Sequence, residues 1–110
     1  MNFYCMTLFP EMVEQAMNTS ILKRAMEKGI ISLQTYNIRD YTQDKHNKVD
    51  DYTYGGGAGM LMQAQPVYDT YQAIKGKMNG EARVIYVTPQ GSCFNQDKAI
   101  ELSKEENLVF

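Results

Sequence analysis

The 110 residues carry a formal charge of −2, with 44% hydrophobic and 22% charged side chains. That balance suits one folded domain with a core of its own, and it gives no general attraction to nucleic acid. No apolar run approaches the roughly 20 residues of a membrane span, and Met1-Asn2-Phe3-Tyr4 lacks the basic start of a secretion signal. Cys5 and Cys93 have no spacing that points to a metal site or a disulfide framework, so reduced thiols and a cytoplasmic setting are expected.

Taken in order, residues 1–8 are short and apolar and read as a first strand. Pro10 fits the first turn of a helix, where its missing N–H costs nothing. Glu11 and Glu14 lie near the positive end of that helix dipole. Met12, Val13, Ala16 and Met17 give the helix an apolar face. Asn18-Thr19-Ser20 interrupts and offers a fresh N-cap. A second helix follows, with Ile21, Leu22, Ala25 and Met26 on one side, and Gly29 stops it. Ile30 to Tyr36 alternates as a strand.

From Asn37 to Gln65 no clear period of either kind appears. Segments of this length without structure are usually functional or disordered, so residues 40–65 are expected to form a long substrate or active-site loop. Pro66 opens another helix, in which Val67, Tyr71, Ile74 and Met78 form one apolar stripe. That stripe reads as core and not as a cofactor box. Val84 to Thr88 reads as the clearest buried strand, and Pro89-Gln90-Gly91 forces a tight turn after it. Asn95 can cap a short helix containing Ala99, Ile100 and Leu102. Asn107 to Phe110 begins another apolar strand, and the sequence stops inside it. Strands alternating with helices predict an α/β fold with a mostly parallel sheet and flanking helices.

The least ordinary stretch is Val49-Asp50-Asp51-Tyr52-Thr53-Tyr54-Gly55-Gly56-Gly57-Ala58-Gly59-Met60-Leu61-Met62. Half of the eight glycines fall in five residues of it. Glycine lets backbone approach a ligand where a Cβ would clash, so a backbone-lined pocket is one explanation, and a hinge between two packed halves is the other. A phosphate-cradling loop would need Lys-Ser/Thr after the last glycine, where Met60-Leu61 stands. A dinucleotide loop would need a third glycine where Met62 stands. Arg39, Lys45, Lys48 and His46, mixed with tyrosines 41, 52 and 54, suit a nucleotide, whose phosphates meet cations and whose bases stack on rings. A solvated loop would carry the same residues.

Asp50-Asp51, Tyr54-Gly55-Gly56-Gly57, Gly59-Met60-Leu61-Met62 and Gln65-Pro66 together resemble the bacterial tRNA (guanine-N1)-methyltransferase family, TrmD. Leu8-Phe9-Pro10-Glu11-Met12, Arg39-Asp40-Tyr41-Thr42 with Asp44 and His46, and Val84-Ile85-Tyr86-Val87-Thr88-Pro89-Gln90-Gly91 agree with it in the same order. The resemblance implies the N-terminal part of a knotted SPOUT-class methyltransferase domain, with the sequence truncated before the trefoil knot and the C-terminal tRNA-binding domain absent. It implies S-adenosylmethionine as cofactor, and methylation of N1 of the guanine 3′-adjacent to the anticodon. Magnesium use, the tRNA anticodon stem-loop as substrate, and a homodimer are also expected from it.

Carried over residue by residue, Tyr86, Thr88, Pro89, Gln90 and Gly91 match one wall of the cofactor pocket. Asp50 matches an acidic residue beside the target guanine. Gly55, Gly57 and Gly59 match the loop over the methionine and guanine, with Met60 beneath it. His46 and Arg24 are substrate-contact candidates, although such residues are also common as plain surface groups. The family's general base is an aspartate further along than residue 110, so this chain alone is expected to be inactive. The competing expectation is a non-catalytic nucleotide- or RNA-binding module of flavodoxin-like shape.

Overall fold

The computed structural model describes residues 1–52 and 60–110, with only the backbone of Tyr52 and Met60. Its centre is a four-stranded parallel sheet in the order β2-β1-β6-β5. Here β1 is Asn2–Thr7, β2 is Ser32–Asn37, β5 is Arg83–Val84 and β6 is Asn107–Val109. β1 pairs with β2 from Asn2↔Ser32 to Thr7↔Asn37, and with β6 from Asn2↔Asn107 to Tyr4↔Val109. A separate antiparallel ribbon joins β3 (Asp50–Tyr52) to β4 (Met60–Met62).

The helices divide between the two faces. Alternation along β1 puts Tyr4 and Met6 on one face and Phe3 and Cys5 on the other. Helix α3 (Ala64–Lys77) covers the Tyr4 face, where Ile74 packs with Tyr4, Tyr36 and Val109, flanked by Tyr71 and Met78. Of the apolar stripe expected in this helix, Ile74 is core and Tyr71 and Met78 pack against it, whereas Val67 lines a groove. Helix α1 (Pro10–Met17) lies against β2 on the other face, tied by the Thr35 hydroxyl donating to the Glu14 carboxylate at 2.5 Å. Helix α2 (Ser20–Glu27) follows, and α4 (Gln96–Leu102) carries the β5-to-β6 crossover. The chain thus crosses the sheet in one direction on one face and returns on the other, as a single crossover hand requires.

Several expectations are corrected. The helices α1 and α2 contain no buried residue, and Met12 and Ile21 are largely exposed, so their apolar sides are only partly covered. Thr19 does not cap α2 with its side chain, because its hydroxyl donates to the Ala16 carbonyl of α1 instead. The stretch without a period contains a 3-10 turn (Ile38–Tyr41) and the β3–β4 ribbon, and α3 starts at Ala64, before Pro66. The largest departure is at Val84–Thr88. The strand there is two residues long, and Tyr86 and Val87 are 85% and 79% exposed. Among the described residues β5 is an edge strand paired with β6 alone, and Tyr86 and Val87 lie beyond its end, where no strand pairs with them.

At the amino ends of the strands a buried polar chain replaces apolar packing. Asn107 is 1% exposed. Its Nδ2 donates to the carbonyls of Asn79 at 2.8 Å and Glu81 at 3.1 Å, and its Oδ1 accepts from Asn2 Nδ2 at 3.0 Å. Asn2 Oδ1 in turn accepts from the Ser32 hydroxyl at 2.6 Å. Gly80, at φ +83°, supplies the left-handed turn that lets the carbonyls on either side of it meet one amide.

Candidate cofactor and substrate site

In parallel α/β sheets ligands bind beyond the carboxyl ends of the strands. Beyond β5 the Ile85 N–H donates to the Val109 carbonyl at 2.7 Å, the last link to the sheet. The chain then turns at Thr88, whose carbonyl accepts from Gly91 N–H at 3.2 Å and whose hydroxyl accepts from Gln90 N–H at 3.4 Å. Asn95 caps α4 by accepting from Lys98 N–H at 2.9 Å. Between this segment, α4 and the Phe3 face of the sheet lies a groove of about 850 Å³. Its walls include Phe3, Tyr86, Thr88, Gly91, Phe94 and Leu108. Pro89 and Gln90 belong to the same turn but do not line it.

The rim charge is already satisfied. Glu101 accepts from Arg83 at 2.6 Å and Lys98 at 2.8 Å. The Lys98 ammonium, then the Arg83 guanidinium, hold its carboxyl down at about 2. What remains open is an apolar, aromatic trough, which suits a flat, largely apolar ligand better than a phosphate. A Cβ on Gly91 would meet only Thr88, at 3.5 Å and 3.6 Å, which is ordinary contact. The fold itself does not demand glycine there, so the space over Gly91 is open to a ligand.

A second groove of about 550 Å³ lies on the α3 side, lined by Met6, Met62, Gln63, Val67, Tyr71 and Tyr86 among others. Tyr86 lines both grooves, and it shares the second with Met62 of the ribbon's return strand.

The approach to the ribbon is a tight polar turn. The Asp44 carboxylate accepts from the N–H groups of His46 at 2.8 Å and Lys48 at 3.2 Å. Those two donors, His46 first, hold the carboxyl below its ordinary range. The Thr42 hydroxyl donates to the Lys48 carbonyl at 2.5 Å and accepts from Asp44 N–H at 3.2 Å. Arg39 reaches the Asn47 carbonyl at 3.4 Å. Val49, fully buried, roots the ribbon, and its carbonyl accepts from Gln63 N–H at 2.7 Å. Asp50 follows, half-buried, with its own carbonyl accepting from Gln63 Nε2 at 3.3 Å. Its carboxylate has no hydrogen-bond partner among the described residues.

The expected site residues therefore divide. Tyr86, Thr88 and Gly91 line one groove, and Asp50 sits on a ribbon whose partner strand reaches the second groove. His46 stands exposed on the turn before the ribbon. Arg24 lies in the last turn of α2, which leads back to the amino ends of the strands, away from the others. Gly55, Gly57 and Gly59 lie outside the described residues, as does the Met60 side chain. The sequence reading missed Gln63 and Gln65, which hold the ribbon and its approach, and the Asn107 junction.

The fold is that of a parallel α/β domain with a groove at the carboxyl edge of its sheet. The chain belongs to the tRNA (Guanine-1)-methyltransferase TrmD family, whose model it matches over residues 1–110. It is 59% identical over 109 residues to the tRNA (guanine-N(1)-)-methyltransferase of Caldicellulosiruptor saccharolyticus, covering 99% of this chain and 44% of that protein. It is 52% identical over 110 residues to the protein of that name from Clostridioides difficile, covering 99% of this chain and 48% of the relative. The crystal structure of tRNA (m1G37) methyltransferase from Aquifex aeolicus superposes with a TM-score of 0.88 at 29% identity, over 99% of this chain and 49% of that one. The chain thus spans about half the length of the curated relatives it matches.

Among the described residues no helix is long and apolar enough to cross a membrane. No group of three or more His, Cys, Asp or Glu among them could hold a metal ion.

Proposed function

We propose that this chain supplies one wall of the cofactor site and the guanine-facing ribbon of an enzyme that methylates N1 of the guanine 3′-adjacent to the anticodon in tRNA. S-adenosylmethionine would supply an electrophilic methyl group on a sulfonium. The observation that carries the proposal is the Tyr86–Gly91 turn, placed at the carboxyl end of β5 against an apolar groove in a chain of this family. Thr88 and Gly91 offer backbone groups to the ribose or adenine, and Tyr86 and Phe94 offer ring surface.

Asp50 is the group to recognise the base. An ionised carboxylate accepts two hydrogen bonds side by side. Guanine offers N1–H and N2–H₂ along one edge, whereas adenine presents an acceptor at N1. Transfer forms the N1–C bond as the C–S bond breaks, the sulfur keeps the electron pair, and the N1 proton passes to a base. The in-line alignment of nucleophile, carbon and sulfur is a matter of positioning. His46 and Arg24 are read as phosphate or ribose contacts outside the pocket, and Gly55, Gly57 and Gly59 as the cover over the reacting groups. The same reading makes the active form a homodimer with a knotted cofactor site.

The test is a chimera in which this chain replaces the matching segment of the Caldicellulosiruptor saccharolyticus relative. It is incubated with labelled S-adenosylmethionine and unmodified tRNA. Label at the N1 position of that guanine is the expected result, with none from the 110-residue chain alone. A chimera that binds tRNA and cofactor but transfers nothing would favour a binding module instead.

A further inference from the structure

Gln65 stands at the start of α3, half-buried, and its side-chain amide bonds three residues, two of them in the turn that leads to the ribbon. Its Nε2 donates to the Tyr41 carbonyl at 2.7 Å and to the Asp69 carboxylate at 2.5 Å. Its Oε1 accepts from Gln43 N–H at 3.3 Å. Tyr41 and Gln43 flank Thr42, where the polar turn bearing His46 begins. That turn is closed on itself by Asp44 and Thr42, so it moves as a unit. Two residues before Gln65, Gln63 grips both Val49 and Asp50. One helix start therefore holds both ends of the segment from Tyr41 to Asp50.

We infer that Gln65 is a positioning residue for tRNA: through Tyr41 and Gln43 it fixes the turn bearing His46 relative to Asp50, so that the base and its flanking backbone meet a preformed surface. This rests on the methyl-transfer reading above. Gln65 touches no reacting group in that reading and does not line the cofactor groove. Its loss therefore affects the nucleic acid and spares the cofactor. Asp69 provides the control. Its removal takes one bond from Gln65 but leaves both links to the turn.

Two measurements decide it. Amide hydrogen exchange is followed in the 110-residue chain and in its Gln65→Ala and Asp69→Ala variants. The expected result is exchange roughly tenfold faster at Gln43, Asp44 and His46 in Gln65→Ala, with β1 and β6 unchanged and Asp69→Ala close to the parent. Equal effects from the two variants would overturn the role. Where Gln65→Ala fails to fold, Gln65→Met takes its place: it is of similar length, lacks both links to the turn, and should give the same rise at Gln43, Asp44 and His46.

In the active chimera, Gln65→Ala should raise KM for tRNA about tenfold, since an ordered surface must now be organised on binding, with KM for S-adenosylmethionine unchanged. A fall in kcat alone, or a shared rise in both KM values, would overturn it. A silent unsubstituted chimera removes the methyl-transfer reading and this role with it. An active chimera indifferent to Gln65→Ala removes this role alone.

Discussion

Asn107 shows how much one side chain can hold in a molecule with a small core. Three hydrogen bonds converge on an amide that is almost wholly buried. Replacing it with alanine leaves the carbonyls of Asn79 and Glu81 without a donor and opens a void between β6 and the α3–β5 turn. The Asn79 and Glu81 carbonyls lie on exposed residues that water can reach, and a hydrogen bond contributes about 1 kcal/mol net, so Asn107→Ala should lower stability by about 1–2 kcal/mol, read as a shift in the urea midpoint at unchanged slope. A shift below about 1 kcal/mol would mean that water replaces the amide without loss. Nothing in the sequence announces this role. Asn107 precedes an apolar run and reads as its polar border. Its partners lie 26 to 105 positions away, where only the fold brings them.

At the scale of elements, helix α3 has a weak point near its carboxyl end. Gly76 sits in its last turn, exposed, with nothing within 4 Å of where a Cβ would be. Glycine costs a helix interior roughly 0.5–1 kcal/mol relative to alanine, so Gly76→Ala should raise stability by up to that amount. Gly80→Ala, forced into the left-handed region at φ +83°, should lower it. Thermal unfolding of the two variants side by side checks both signs.

Legibility followed the same division. Strands β1, β2 and β6 and helices α1 to α4 carry periods or caps that can be read along the chain. The ribbon could not be read, because each of its strands is three residues long and its pairing runs across the glycine segment. The exposure of Tyr86 and Val87 could not be read either. An edge strand and a central one have the same apolar composition, and only the neighbours tell them apart. The turn from Thr88 to Gly91 is legible as a motif, whereas the glutamines that grip the ribbon are not, since their bonds obey no spacing rule.

The pH response of the whole molecule should show at Glu101. Its carboxyl lies at about 2 in the folded chain against an ordinary 4.5. A carboxyl lowered on folding adds stability that is present above its unfolded value and is lost as pH falls through the folded one. The difference in melting temperature between the parent and Glu101→Gln should therefore be constant above about pH 5 and shrink toward pH 2. High salt should reduce it at neutral pH, since the pair with Arg83 is exposed. A gap that widens on acidification would contradict the sign.

The register of the central strands also has a consequence for synthesis. β1 pairs with β6, so Asn2 sits beside Asn107 and Tyr4 beside Val109. During translation β1, α1, α2 and β2 can assemble early, but the middle of the sheet stays open until residue 109 leaves the ribosome. Closing so distant a contact is slow, and the exposed flank of β1 is a pairing edge for as long as it waits. The nascent chain is therefore most prone to wrong association just before its last described strand arrives, and a pause in translation there would lengthen that exposure.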